Sequence, residues 1–360
     1  MAIEWLAGNR IRGTSTERTS TSGFTQVSAV SGGWKEVGRT TLGSAGDTIS
    51  VSSLPDKKYY MILGHIENTG GDTVSHVRAN SDSSANYALR RSVNGGADSA
   101  TTSDNRLFST HNSKSIQTRF IQGHIANKSD TEKLGIFHVN EKASGGSGTA
   151  PSRIEGVGKH VQTSSALNEL QLFNDEAGSF DTGGELVVLG YDPDDTHTDN
   201  FWEQLADVTL GSDASEISSG TITAKKYLWV QVYFQNASSS DDVLVRFNND
   251  TGNNYAHRHN MNYEGDSTAT SQSSIKLIDR NSAADRGRFV NFFVINNSAT
   301  EKLLIAHGTE EETSGANNHP TSSECVGIWS CEPCQITEID CFTASGNIRS
   351  GARLRVWGSN

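Results

Sequence analysis

The chain has 360 residues, more than one core comfortably holds and enough for two domains of about 150 residues each. Its formal net charge is -12, with 30 Lys and Arg scattered among 42 Asp and Glu, so it lacks the basic surface that tracks phosphates and no nucleic-acid partner is expected. No stretch stays apolar for the roughly 18 residues a spanning helix needs, and no membrane insertion is expected.

Hydrophobic residues make up 34% of the chain and mean hydropathy is -0.50, yet the apolar residues fall in short alternating runs rather than being evenly diluted. The 35 glycines, with abundant Ser, Thr, Asn and Asp and 5 prolines, punctuate those runs with turns. This pattern predicts an all-β chain of thin sandwiches and leaves little room for long helices.

In chain order, residues 1–33 are mostly Ser, Thr, Gly and Arg, with Trp5, Leu6, Ile11, Phe24 and Val27 as the strong apolar anchors. They read as an N-terminal arm, lying either across a neighbouring subunit or over one sandwich edge. The start Met1-Ala2-Ile3-Glu4-Trp5-Leu6 lacks the basic stretch and apolar core of a secretory signal, so export by that route is not expected. A sandwich-sized unit follows over 34–192, then an acidic linker over 193–201 that one proline and self-repelling carboxylates should keep extended.

The unit is then written again over 202–360. Val77-Arg78-Ala79-Asn80-Ser81-Asp82 leads on to Asn86-Tyr87-Ala88-Leu89-Arg90, and 168 residues later Val245-Arg246-Phe247-Asn248-Asn249-Asp250 leads on to Asn254-Tyr255-Ala256-His257-Arg258. The same offset pairs Thr41-Leu42-Gly43-Ser44 with Thr209-Leu210-Gly211-Ser212, and Lys57-Lys58-Tyr59 with Lys225-Lys226-Tyr227. After one inserted residue, Arg119-Phe120 matches Arg288-Phe289 and Thr131-Glu132-Lys133-Leu134 matches Thr300-Glu301-Lys302-Leu303. Strands are predicted at Tyr60–Ile66 and Leu228–Phe234, at Phe289–Ile295, and at the closing runs Leu186–Gly190 and Leu354–Gly358. About eight strands per copy are expected, giving two tandem jelly-roll-like antiparallel β-sandwiches after the arm, with a concanavalin-like sandwich as the nearest alternative.

Comparison of the copies weighs each candidate site. Cys325, Cys331, Cys334 and Cys341 include a C-x-x-C and are weak candidates for a metal site; the first copy has Gly156, Gln162, Ser165 and Leu172 there, so core thiols or a disulfide stand beside zinc. His257 and His259 share a strand face and could share a metal, against the plainer reading of a solvent-facing pair; the first copy has Leu89 and Arg91. His138 and His307 are equivalent and flank the same strand end. Asn248, Asn249, Asp250, Asn253 and Asn254, echoed by Asn80, Asp82 and Asn86, resemble calcium ligands but lack the acidic complement, and read better as turn chemistry. Asn254, Tyr255 and Arg258 are candidates for glycan contact. Glu132 and Glu301 read as solvated turn charges. No G-x-S-x-G elbow, H-E-x-x-H or phosphate-binding glycine loop is present, so no catalytic residue and no cofactor is expected.

The opening Gly8-Asn9-Arg10-Ile11-Arg12-Gly13-Thr14-Ser15-Thr16-Glu17-Arg18-Thr19 resembles the start of structural proteins of tailed and other double-stranded DNA viruses from marine environments, some associated with archaea. So do Gly33–Leu42, Arg246–Asp250 and the phrase Asn253-Asn254-Tyr255-Ala256. The resemblance spans the arm and both repeats, and implies a non-enzymatic virion surface protein: a homo-oligomeric spike, fibre, tail or capsid-decoration component, assembled in the host cytoplasm, touching other virion proteins through the arm and a host glycan or receptor at its outer end. The alternatives are a double jelly-roll major capsid protein, a glycan-binding module pair or adhesin, and a polysaccharide depolymerase with a site between subunits.

Overall fold

A computed structural model describes residues 30–31, 33–68, 71–110, 118–197, 199–236, 241–279, 286–311 and 315–360. The arm's apolar anchors and its Gly8–Thr19 phrase lie outside the described residues. Among those residues every regular element is a strand. β1 (Val30–Ser31) precedes the first repeat, which comprises β2 (Lys35–Thr41), β3 (Thr48–Ser52), β4 (Tyr59–Glu67), β5 (His76–Ala79), β6 (Tyr87–Val93), β7 (Ser99–Asp104), β8 (Phe108–Ser109), β9 (Thr118–Ala126), β10 (Lys133–Lys142), β11 (Ser152–His160), β12 (Glu169–Phe173) and β13 (Glu185–Tyr191). After β14 (Thr196–His197), the second repeat comprises β15 (Glu203–Thr209), β16 (Glu216–Ser218), β17 (Tyr227–Gln235), β18 (Val243–Phe247), β19 (Tyr255–Met261), β20 (Ser267–Gln272), β21 (Ile275–Ile278), β22 (Gly287–Ile295), β23 (Lys302–Glu310), β24 (Thr321–Trp329), β25 (Ile339–Thr343) and β26 (Arg353–Ser359).

Each repeat is a sandwich of an eight-stranded and a four-stranded antiparallel sheet. The orders are β2-β13-β4-β9-β10-β11-β6-β7 over β3-β12-β5-β8, and β15-β26-β17-β22-β23-β24-β19-β20 over β16-β25-β18-β21. The two are identical strand for strand, so the repetition read from sequence is a repetition of topology. The described residues hold twelve strands per repeat where about eight were expected. Part of the excess comes from polar edge strands such as Ser99–Asp104 and Ser267–Gln272, which carry too few apolar residues to show a period of two.

Alternation decides which side chains enter each core. Along β17, Leu228, Val230, Val232 and Phe234 point into the sandwich, while Tyr227, Trp229, Gln231 and Tyr233 point out. Equivalent glycines let the small sheet come close: a Cβ on Gly158 would sit 1.7 Å from the Leu107 carbonyl oxygen, and one on Gly327 2.6 Å from Ile275 Cδ1. A third cluster lies outside both sandwiches. Met61, Leu63, Phe120, Val187 and Leu189 of the first repeat pack against Trp202, Tyr227, Phe293, Ile295, Leu303, Ile305, Val326 and Ile328 of the second. The outer faces of the two large sheets therefore meet, and the chain is one body of four layers.

The linker is tied down rather than held extended by repulsion. Lys57 pairs with Asp195 at 2.6 Å, Lys58 with Asp192 at 2.8 Å and Lys35 with Asp199 at 2.8 Å, while β14 pairs with β1. Three lysines projecting from the first repeat neutralise the carboxylates whose repulsion was expected to extend it.

Candidate functional site at the seam and beside His257

Outward alternation on β10 and β23 aims His138 and His307 at each other, with ring nitrogens 3.1 Å apart. Contact between equivalent residues marks a local two-fold relation between the repeats. Glu155 and Glu324, another equivalent pair, approach on the neighbouring strands β11 and β24, and Arg153 bridges them, 2.6 Å from Glu155 and in closer contact with Glu324, while also meeting Asp266 at 2.7 Å. Burial, and then the Glu155 carboxylate, push the Glu324 pKa up to about 8. Burial lowers His307 to about 4 and holds His138 well below its ordinary value, so both rings are neutral and one donates to the other. Further along β10 the Asn140 amide donates to the Leu304 and Gly327 carbonyls at 2.9 and 2.8 Å, and Lys142 pairs with Glu301.

A cleft of about 310 Å³ opens beside this cluster, lined by His138 and Glu155 together with Arg90, Ile136 and Val157, while the interior of the cluster is closed. The cavity among His138, Arg153, Glu155, His307 and Glu324 is about 10 Å³, scarcely one water. Its chemistry is spent holding the sheets together. Glu301, read as a solvated turn charge, is buried here because the first repeat covers its face and supplies Lys142. Glu132 stays at the surface beside Lys159 at 2.8 Å.

His257 and His259 are not solvent-facing. Both point into the sandwich from β19, alongside Tyr255, and are buried at the open end where the small sheet stops at β21. Burial, with His259 beside it, lowers the His257 pKa to about 3; His259 contacts Asp279 at 3.3 Å. Neither ring nitrogen of His257 has a partner among the described residues. The rings line an open pocket of about 450 Å³ with Asp242, Gln272, Lys276 and Asp279. In the first repeat the residue matching His259 is Arg91, whose guanidinium bonds Ser109 at 2.9 Å on β8.

The cysteines do not converge. Cys331 and Cys334 form a disulfide, Cys325 is buried on β24 of the large sheet and Cys341 on β25 of the small one. Alternation turns both free thiols into the core, on opposite layers, so they cannot close a four-thiolate site with the bonded pair. Among the described residues no three His, Cys, Asp or Glu side chains are grouped to hold a metal ion.

The Asn/Asp turns do hold the fold together, twice over. Asn80 and Asn248 have φ of 53°, a left-handed conformation that Asn tolerates. The Asn248 carboxamide oxygen accepts from the Thr337 and Glu338 amides at 2.8 and 3.0 Å, as that of Asn80 accepts from Asn168 and Glu169 at 2.8 and 3.2 Å. Asp250 accepts from Gly252, Asn254 and Trp329, and Asp82 from Ser84 and Asn86 with His160 at 3.0 Å. Of the glycan-contact candidates, Asn254 thus bonds Asp250. Tyr255 is fully buried, its hydroxyl donating to the Phe247 carbonyl at 3.2 Å, as Tyr87 does to Ala79 at 2.9 Å. Arg258 donates to the Pro151 carbonyl at 2.8 Å, across the seam. None of the three presents a free contact face.

Sequence reasoning missed the seam residues Asn140, Arg153 and Asp266 and the buried ion pairs Arg119–Glu141 and Arg288–Glu310, each with 2.9 Å from Nε to the carboxylate. Glu141 and Glu310 are equivalent, as are Glu155 and Glu324. An acid kept at the same strand position in both copies was the available signal.

The fold defines the chain as an all-β protein of two tandem antiparallel sandwiches. No protein-family model and no curated protein matches it. Among solved structures it is similar to the LG1-3 region of the laminin alpha2 chain at 10% identity and a TM-score of 0.20, covering 87% of this chain and 64% of that one. It is also similar to domains LG4-5 of the mouse laminin alpha1 chain, at 8% identity and a TM-score of 0.17 over 90% of each. The chain thus spans less than two thirds of the first of these.

Proposed function

We propose that this chain is a non-enzymatic structural protein of a virus particle, a surface spike, fibre, tail or capsid-decoration component. The observation that carries the reading is the seam: two sandwiches joined face to face through apolar rows, neutral histidines and buried ion pairs make a stiff block, and the ionisable residues at their junction are committed to holding it. A load-carrying or projecting part needs such stiffness. Mass spectrometry and immunogold labelling of purified particles test the proposal. The chain is expected among the surface components in tens of copies; its absence overturns the reading, and hundreds of copies would point to a double jelly-roll major capsid protein instead.

A second reading, a glycan-binding module pair, is favoured by the open pocket at His257 with its unpartnered imidazole. Saturable binding on a glycan array, lost in His257→Leu, would establish it; a flat array in the unaltered chain would dismiss it.

A further inference from the structure

We propose that the outer face of the first repeat around Leu134, Ile136 and Val157 docks a second copy of this chain. The sheet registers place two rows of outward side chains on that face: Tyr59, Ala126, Leu134 and Lys159 run across β4, β9, β10 and β11, followed by Met61, His124, Ile136 and Val157. Leu134 is 57% exposed, Ile136 53%, Val157 48% and Tyr59 45%. Three aliphatic side chains at half exposure or near it on adjacent strands form a contiguous patch rather than scattered surface residues.

The second repeat states what such a face does. Its matching rows are Tyr227, Ile295, Leu303 and Ile328, then Trp229, Phe293, Ile305 and Val326, and the first repeat covers them at the seam. Tyr, Leu, Ile and Val recur at the same four places, buried in one repeat and open in the other. The two-fold relation at His138 and His307 would cover both if it were complete. Its closed half brings Lys142 to Glu301. Its other half would bring the equivalents, Glu311 and Glu132, together, two carboxylates that repel. The chain closes on one side of the histidines, where Met61 is buried in the seam, and leaves Leu134, Ile136 and Val157 uncovered, beside a cleft of about 310 Å³ that Tyr263 of the second repeat flanks.

A second copy fits this face by its own composition. Paired about a two-fold axis, the apolar rows meet themselves, and Glu132 and Lys159, already bonded to each other at 2.8 Å, supply opposite charges that can exchange partners across the axis. Charged residues fall at the rim and aliphatic ones at the centre, as in a self-associating interface. The inference stands without the particle reading, since it concerns only how copies of the chain meet.

Sedimentation velocity on the full chain over a concentration series tests it. The unaltered chain is expected to sediment as a dimer that dissociates on dilution, Leu134→Lys/Ile136→Lys as a monomer throughout, and the control Phe289→Ser, on the second repeat's own exposed face, like the unaltered chain. Should the double variant fail to fold, Val157→Ser is the milder probe and should weaken dimerisation at least tenfold. A chain monomeric at every concentration overturns the proposal. So does a dimer that survives the face variants, or one lost only with Phe289→Ser.

Discussion

The two repeats share a topology strand for strand but not an environment. In the second, the outward rows of the large sheet are core, and its open sandwich end is a pocket lined by neutral histidines. In the first, the same rows face outward, and an arginine bonded to the small sheet takes the matching place. What is common to both is therefore what the sandwich itself requires, and what differs is what each repeat does to its surroundings.

The largest expected effect tests the common part. Arg119→Met and Arg288→Met each strand a buried carboxylate and should each destabilise the chain by about 3–5 kcal/mol in chemical denaturation. A loss confined to one of them would break the equivalence of the repeats. The contrast between faces comes next: Leu303→Ala should cost about 2–5 kcal/mol, whereas Leu134→Ala should change the stability of the monomer by no more than about 0.5 kcal/mol. Equal losses would mean that both rows are covered within one chain.

Smaller still, Asn80→Ala and Asn248→Ala each leave two backbone amides without their acceptor, at about 1–3 kcal/mol, and should fall within error of each other. Burial holds His65 and His257 near pKa 3 and His307 near 4, below the ordinary value of 6.5. The unfolded chain takes up protons there that the folded chain refuses, so this share of stability is complete above about pH 6.5 and is lost as pH falls toward the folded values. Replacing His257 by the leucine of the first repeat should move the acid midpoint to lower pH in a melting series; an unmoved midpoint would place the sensitivity elsewhere. Glu324 has the opposite sign, because a raised carboxyl favours the folded state below its ordinary pKa and the advantage fades as pH climbs through about 8. Glu324→Gln should flatten that alkaline limb, the smallest of these effects.

Much of the fold was legible. The strand predicted at Tyr60–Ile66 is Tyr59–Glu67, that at Leu228–Phe234 is Tyr227–Gln235, and the closing runs extend by a residue at each end. The Asn/Asp turns were read as turns because Asn and Asp bond neighbouring backbone, and both copies do so. The seam was not legible. His138 and His307 were visible as equivalents, and the unbroken apolar run Leu303–Ala306 of β23 signals burial on both faces, but no strand's pattern says which element covers it. Glu301 was misplaced for the same reason, since a polar residue at a strand's end looks solvated until the element that covers it is known, whereas His257 shares the inward face of Tyr255 and was misplaced because a histidine there breaks the apolar pattern of a core position.

The amino-acid sequence by itself determined that the chain is all-β, that it is one sandwich written twice, and which turns both copies need. These rest on local periodicity and on side chains that bond within a few residues or repeat at a constant offset. Tertiary structure alone decided that the large sheets meet face to face, that one copy's aliphatic rows are buried and the other's left open, and that the four cysteines never converge. Those outcomes depend on complementarity between faces brought together by the whole fold, as where Lys142 of one repeat meets Glu301 of the other.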